Sequence, residues 1–222
     1  MERLSLGLRM KYTAEKQAYR DGLKFRAADH RYTLQGMVIP SVTTVIEPLE
    51  PFGYLPEVIR RAALLRGTLV HGMTEQDDLG ILVEDDLLAE TGLDGYLHAW
   101  REFKRGVDKM VEIEGRVYHT KYRYSGTFDR LALVNGRLSL LEIKTGGLVN
   151  AYQLQTAAYQ AAINEGFVPQ RIDGIVRNQV LDRFVIQLRE DGGYSVVQHQ
   201  DPTDFETFVA ALVIRNWKIK YG

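Results

Sequence analysis

Counting from one turn gathers three residues able to do chemistry together. Asn135-Gly136 separates two apolar-rich runs, Tyr124–Val134 and Arg137–Thr145. That dipeptide is the strongest short-range hairpin signal, because both residues tolerate the positive φ of a type I′ turn. With a two-residue loop Val134 faces Arg137, Leu131 faces Leu140, and Asp129 faces Glu142. Directly opposed residues share a sheet face with Cβ atoms roughly 4.5–5.5 Å apart. Lys144, two residues past Glu142, points to that face as well. Two carboxylates facing each other repel and are costly to desolvate unless a cation lies between them. A divalent metal with oxygen ligands would supply one, and an adjacent ammonium suits a reaction on phosphate. A salt-bridged polar patch on a solvated face is the other reading of these residues.

Further candidates lie on the elements before and after the hairpin. From Glu57 to about Asp78, the residues Val58, Ala62, Leu65, Leu69 and Met73 recur at helical spacing and predict an amphipathic helix. His71 shares an adjacent face with Leu64, Gly67 and Glu75. Mid-helix Gly67 costs about 1 kcal/mol relative to alanine, which a close approach by backbone or ligand would explain. Arg60, Arg61 and Arg66 add positive charge, with a solvated face as the alternative. Residues 111–118 alternate as a strand, making Glu114 either a further acidic metal candidate or an edge-strand charge. After Thr145-Gly146-Gly147, residues Asn150–Asn164 read as a helix with Tyr152, Gln155 and Tyr159 on one face. Gln155 and Tyr159 would hold a phosphate or orient Lys144, or be an ordinary polar flank.

The remainder bounds the class. At 222 residues and 45% hydrophobic, the chain can bury the core of one domain, here read as an N-terminal extension, 1–56, on a core, 57–222. No run approaches the roughly 20 apolar residues of a membrane span. The first residues also lack a signal peptide's apolar stretch, so a soluble, cytoplasmic protein is expected. The absence of cysteine excludes disulfides, thiolate zinc sites, cysteine-ligated iron–sulfur clusters and cysteine nucleophiles. The net charge of −1 argues against a generally basic surface but not against a local nucleic-acid groove. In order, the sequence predicts a helix around Ala14–Tyr19, a hairpin over 23–34, and a short helical turn capped by Ser41. A loop bearing Phe52 and Tyr54 follows. Helices are expected over Leu82–Glu90, over Asp94–Lys109 with Tyr96, Trp100, Phe103 and Val107 inward, and over Phe205–Trp217 with Phe208, Leu212 and Trp217 on the sheet. Strands are expected at Ile172–Val180, Arg183–Leu188 and Tyr194–His199.

Over roughly residues 30–190 these pieces resemble the PD-(D/E)XK nuclease superfamily and, within it, the RecB-like exonuclease branch. Arg66-Gly67-Thr-Leu-Val-His71 is similar to the helix carrying a metal-binding histidine, and Glu114 stands where a preceding acidic residue is expected. Gly126-Thr-Phe-Asp129 resembles the first core carboxylate, Glu142-Ile-Lys144-Thr145-Gly146 the second with its lysine, and Gln155-Thr-Ala-Ala-Tyr159 the helix motif that follows. Pro40-Ser-Val-Thr-Thr-Val45 resembles a stretch preceding the core in some phage and organellar members.

The resemblance implies an α/β fold, a central mixed sheet flanked by helices as in restriction endonucleases. It implies Asp129, Glu142 and Lys144 as catalytic residues. His71, Asp129, Glu142 and the Ile143 backbone carbonyl would be metal ligands, with Glu114 a further candidate. Arg66, Thr145, Gln155 and Tyr159 would contact substrate. Mg²⁺ or Mn²⁺ is the expected cofactor, the imidazole favouring Mn²⁺ somewhat. Helicase- and CRISPR-associated relatives carry an iron–sulfur cluster on cysteines, which this chain lacks. The expected activity is metal-dependent exonucleolytic hydrolysis of single-stranded or end-containing duplex DNA in repair, recombination or phage DNA processing. A recombination or replication protein is a candidate partner. A structure- or sequence-specific endonuclease and an inactive nucleic-acid-binding accessory are the alternatives.

Overall fold

The computed structural model describes residues 22–50, 55–81, 91–165, 171–172, 175–176, 180 and 182–222. The expected helices around Ala14–Tyr19 and Leu82–Glu90, and the loop aromatics Phe52 and Tyr54, lie outside the described residues. Three short strands, β1 (Leu23–Arg26), β2 (Arg31–Leu34) and β3 (Met37–Ile39), come first, then α1 (Val42–Ile46) and α2 (Glu57–Asp78). Next are α3 (Asp94–Lys104), β4 (Lys109–His119), β5 (Tyr124–Val134), β6 (Arg137–Lys144) and α4 (Ala151–Asn164). The chain closes with β7 (Arg171–Ile172), β8 (Ile175–Val176), β9 (Asp182–Leu188), β10 (Tyr194–His199) and α5 (Asp204–Tyr221).

A mixed five-stranded sheet, ordered β10-β9-β6-β5-β4, forms the centre. Its turn chemistry explains its order. Asn135 and Gly136 both take positive φ, 49° and 71°, and close the β5–β6 hairpin in the counted register, Val134 opposite Arg137 and Leu131 opposite Leu140. β6 then pairs in parallel with β9, which requires a crossover, and α4 provides it. Helices cover both faces. Against one, Val70 and Met73 of α2 and Tyr96, Leu97 and Trp100 of α3 pack on Ala132, Leu141, Ile143, Ile186 and Leu188. Against the other, α1, α4 and α5 bring Val45, Ile46, Ala158, Ala162, Phe208 and Leu212 onto Leu131, Leu133, Leu138 and Leu140. The protein is thus α/β, with a mixed sheet between helical layers.

The small β1-β2-β3 sheet packs Leu23, Tyr32, Leu34 and Ile39 on Tyr118 of β4. Tyr32 Oη lies 2.8 Å from Thr127 Oγ1, and Ser125 N donates to the Pro40 carbonyl at 2.9 Å, so this sheet braces the first half of β5. Ser41 caps α1 as its sequence position predicts, accepting from Thr44 N at 3.1 Å.

Three expectations are corrected. Helix α2 forms over the predicted span, but Val58, Leu65 and Leu69 are 79%, 62% and 47% exposed among the described residues. A helix of 22 residues is about 33 Å long, and only its last turns, from Val70, reach the sheet. Trp217, expected on the sheet, is 60% exposed. Nine residues beyond the buried Phe208, it lies half a revolution around α5. The single strand expected over Ile172–Val180 is instead, in its described part, two antiparallel two-residue strands. No helix among the described residues is long and apolar enough to cross a membrane.

Candidate functional site

The site forms where the β5–β6 ladder ends. Backbone pairing runs to Arg130 opposite Leu141, and Asp129 and Glu142 are the next residues in that register. They do not form a rung. Asp129 Oδ2 instead accepts from Ile143 N at 2.6 Å, so a side chain takes the place of a carbonyl. Phe128 and Leu131 both join the same core cluster, so the inward–outward alternation of β5 switches between them. On the other side of β5, Ile113 pairs with Arg130 and Gly115 with Phe128, which leaves Glu114 opposite Asp129. Glu114 has a φ of 49°, uncommon for a residue with a Cβ. Glu114, Asp129 and Glu142 therefore stand in a row across three adjacent strands.

Helix α2 delivers the imidazole. His71 Nδ1 is 3.2 Å from Asp129 Oδ1. His71, Glu114 and Asp129 each offer one ligand atom, all within 4.8 Å of one another, close enough to share an ion. Glu142 is held separately: its Oε1 accepts from Lys144 Nζ at 2.9 Å and from Gln155 Nε2 at 2.7 Å. Its Oε2 is buried and has no hydrogen-bond partner among the described residues. Lys144 also lies over the Tyr152 ring, 4.5 Å from its centroid. Gln155 and Tyr159 are 3% and 2% exposed and face Glu142 rather than open solvent. The close approach of α4 depends on Gly126, where a Cβ would lie 2.5 Å from Tyr159 Cε1.

The protonation states show how crowded this charge is. Burial, then the neighbouring Asp129, pushes the Glu142 carboxyl from 4.5 to about 7 against the pull of Lys144. Burial and Asp129 likewise push Glu114 up to about 8. Burial works against ionised Asp129 too, but His71 and Lys144 outweigh it and keep its carboxyl below the ordinary range. His71 and Lys144 are raised despite burial, which alone would lower both, because Asp129 and Glu142 face them. Oxygen and imidazole donors, carboxyls that resist ionising side by side, and a carboxylate oxygen without a partner among the described residues together fit a hard divalent cation.

Most of the expected residues therefore gather. His71, Glu114, Asp129, Glu142, Lys144, Gln155 and Tyr159 converge on one end of the sheet. Ile143 contributes through its N–H to Asp129, and its side chain is in the core. Thr145 is half-buried in the bend after β6. Arg66 is half-buried, with a buried Nε that has no partner among the described residues. Gly67 has nothing within 4 Å of where a Cβ would lie, so no described residue makes the close approach that its position suggests.

Sequence reasoning missed Arg130 and Asp78, whose side chains are wholly buried and paired at 2.6 Å. A signal was present. Asp77 and Asp78 end α2 with negative charge at the unfavourable pole of the helix dipole, which calls for cationic partners. Lys104 and Arg101 meet Asp77, and Lys104 and Arg130 meet Asp78.

No protein-family model matches the chain, and no curated protein does. Among solved structures the chain is similar to one described as "Putative exonuclease" from Eubacterium rectale, with 12% identity and a TM-score of 0.41. The match covers 71% of this chain and 65% of that one, so it spans a little under two thirds of that protein's length. A likeness this distant carries no inference about activity.

Proposed function

We propose that this chain is a divalent-metal-dependent DNA nuclease of the PD-(D/E)XK type, acting as an exonuclease. The observation that carries the reading is Glu142, a buried carboxylate with one oxygen on Lys144 and Gln155 and the other without a partner among the described residues, beside the His71–Glu114–Asp129 cluster. A salt-bridged polar patch would pair both oxygens or expose them to water. His71, Glu114, Asp129 and Glu142 would hold Mg²⁺ or Mn²⁺, which when bound lowers the pKa of its water and neutralises phosphate charge.

The chain's own residues do the rest. Lys144, fixed between Glu142 Oε1 and the Tyr152 ring, presents a cation to negative charge developing on a phosphate, or orients the attacking water. Gln155 fixes Glu142 from the helix side, and Asp129 holds His71 in place. DNA as substrate and attack from an end rest on the motif order described above, with Arg66 and Thr145 as proposed substrate contacts.

The test is incubation of end-labelled single-stranded and duplex DNA, and of a closed circle, with Mg²⁺ or Mn²⁺. Wild type shortens the linear substrates and leaves the circle intact, while Lys144→Ala and Asp129→Ala leave all of them uncut. Wild type that cleaves no more than these variants overturns the proposal, and opening of the circle replaces exonuclease with endonuclease.

A further inference from the structure

Arg130 follows Asp129 directly and is fully buried, and the proposed chemistry gives it no part. All of its guanidinium nitrogens are engaged. Nε donates to Asp78 Oδ2 at 2.6 Å, Nη1 to Glu114 Oε1 and to the Asp129 carbonyl at 2.8 Å each, and Nη2 to Thr74 Oγ1 at 3.2 Å. The Trp100 ring lies 5.6 Å from the guanidinium carbon, and Trp100 Nε1 also donates to Asp78 at 3.0 Å. Thr74 Oγ1 donates in turn to the His71 carbonyl at 3.0 Å. One side chain therefore touches the backbone of the Asp129 strand, the carboxylate of Glu114 and the helical turn that carries His71.

A tie between α2 and the sheet would need only Asp78. Asp78 already receives Lys104 Nζ at 2.9 Å and Trp100, so it is well satisfied without a full share of Arg130. The second arm of the fork reaches across to Glu114, a residue with a positive φ. A planar, always-charged guanidinium holds two carboxylates at angles fixed by its rigid fork, a constraint that a rotating ammonium does not impose.

We propose that Arg130 is a positioning residue of the metal cradle: it grips Glu114 by one oxygen and so presents the carboxylate beside His71 and Asp129 for a divalent cation. This rests on the metal-centre reading given above. Groups that orient metal ligands typically contribute about 10–100-fold in metal affinity.

The test is Mn²⁺ affinity of the full chain, read from the free-ion electron paramagnetic resonance signal, for wild type, Arg130→Lys, Glu114→Gln and the double variant. Far-UV circular dichroism is recorded alongside. The expected result is binding by wild type, a loss of about 10–100-fold in Arg130→Lys, and a further loss of no more than about twofold when Arg130→Lys is added to Glu114→Gln. Equal losses from Arg130→Lys in both backgrounds would mean that it acts on the fold and not through Glu114, and would overturn the inference alone. Unchanged affinity in Arg130→Lys does the same. Failure of wild type to bind Mn²⁺ overturns the metal centre itself, and this inference with it. Should Arg130→Lys not fold, Arg130→Gln with Asp78→Asn removes the buried pair together and is compared in the same two backgrounds, with the same outcomes deciding.

Discussion

Replacing Glu142 by glutamine should stabilise the metal-free protein at pH 8 and remove its response to metal. Glu142 is 2% exposed, and burial followed by Asp129 raises its carboxyl from 4.5 to about 7. In the unfolded chain this group ionises near 4.5, and in the folded one near 7. Below the lower value both states are protonated and the charge costs nothing. Between the two, the unfolded state loses its proton first and stability falls as pH rises. Above about 7 the full penalty is present, on the order of 3 kcal/mol at 1.36 kcal/mol per pKa unit. Glutamine is close in size, keeps an acceptor for Lys144 and carries no charge, but deprives Lys144 of a buried counter-ion. The net gain at pH 8 is then about 1–3 kcal/mol, or roughly 2–12 °C in Tm for a chain of this length, and close to zero at pH 4.5. The assay is thermal unfolding with chelator at both pH values, then with saturating Mn²⁺. A ligand at 100 times its Kd stabilises by about 2.7 kcal/mol, which wild type should show and the variant should lack. An E142Q variant that melts below wild type at pH 8 without metal, or that retains the Mn²⁺-induced rise, would refute the reasoning.

Other expectations follow from the same geometry. Apparent Mn²⁺ affinity should tighten from pH 6 to pH 9, because Glu142 near 7 and Glu114 near 8 must lose protons for the ion to bind; titration calorimetry in buffers of differing ionisation heat checks the proton release. Gly126→Ala places a methyl 2.5 Å from Tyr159 Cε1 and should destabilise by about 1–3 kcal/mol in denaturant melts. Phe208→Ala, at a wholly buried site, should lose about 3–5 kcal/mol, whereas Trp217→Ala should stay within about 0.5 kcal/mol; comparable losses would mean that α5 packs differently.

The main hairpin was legible because Asn-Gly fixes pairing by counting, and the rungs from Val134–Arg137 to Arg130–Leu141 follow that count. Counting fails at the next rung because it assumes carbonyl partners, and the Asp129 carboxylate takes the Ile143 N–H instead. Nothing local announces the left-handed backbone of Glu114, whose carboxylate is held by Arg130 from another strand. Periodicity placed His71 on a helix, and it tells which face is apolar but not where the sheet beneath that helix stops. Val58 and Leu65 fit the pattern and still stand beyond the sheet. Arg130 escaped notice because a lone charge in a strand suggests a solvated edge, and its partners are 16 and 52 residues away in sequence.

The most direct measurement is the anomalous scattering of a Mn²⁺-soaked crystal of the full chain. The expected result is a peak bounded by His71, Glu114 and Asp129 with Glu142 Oε2 turned towards it. Peaks confined to other places, with that oxygen hydrogen-bonded within the protein, would contradict it.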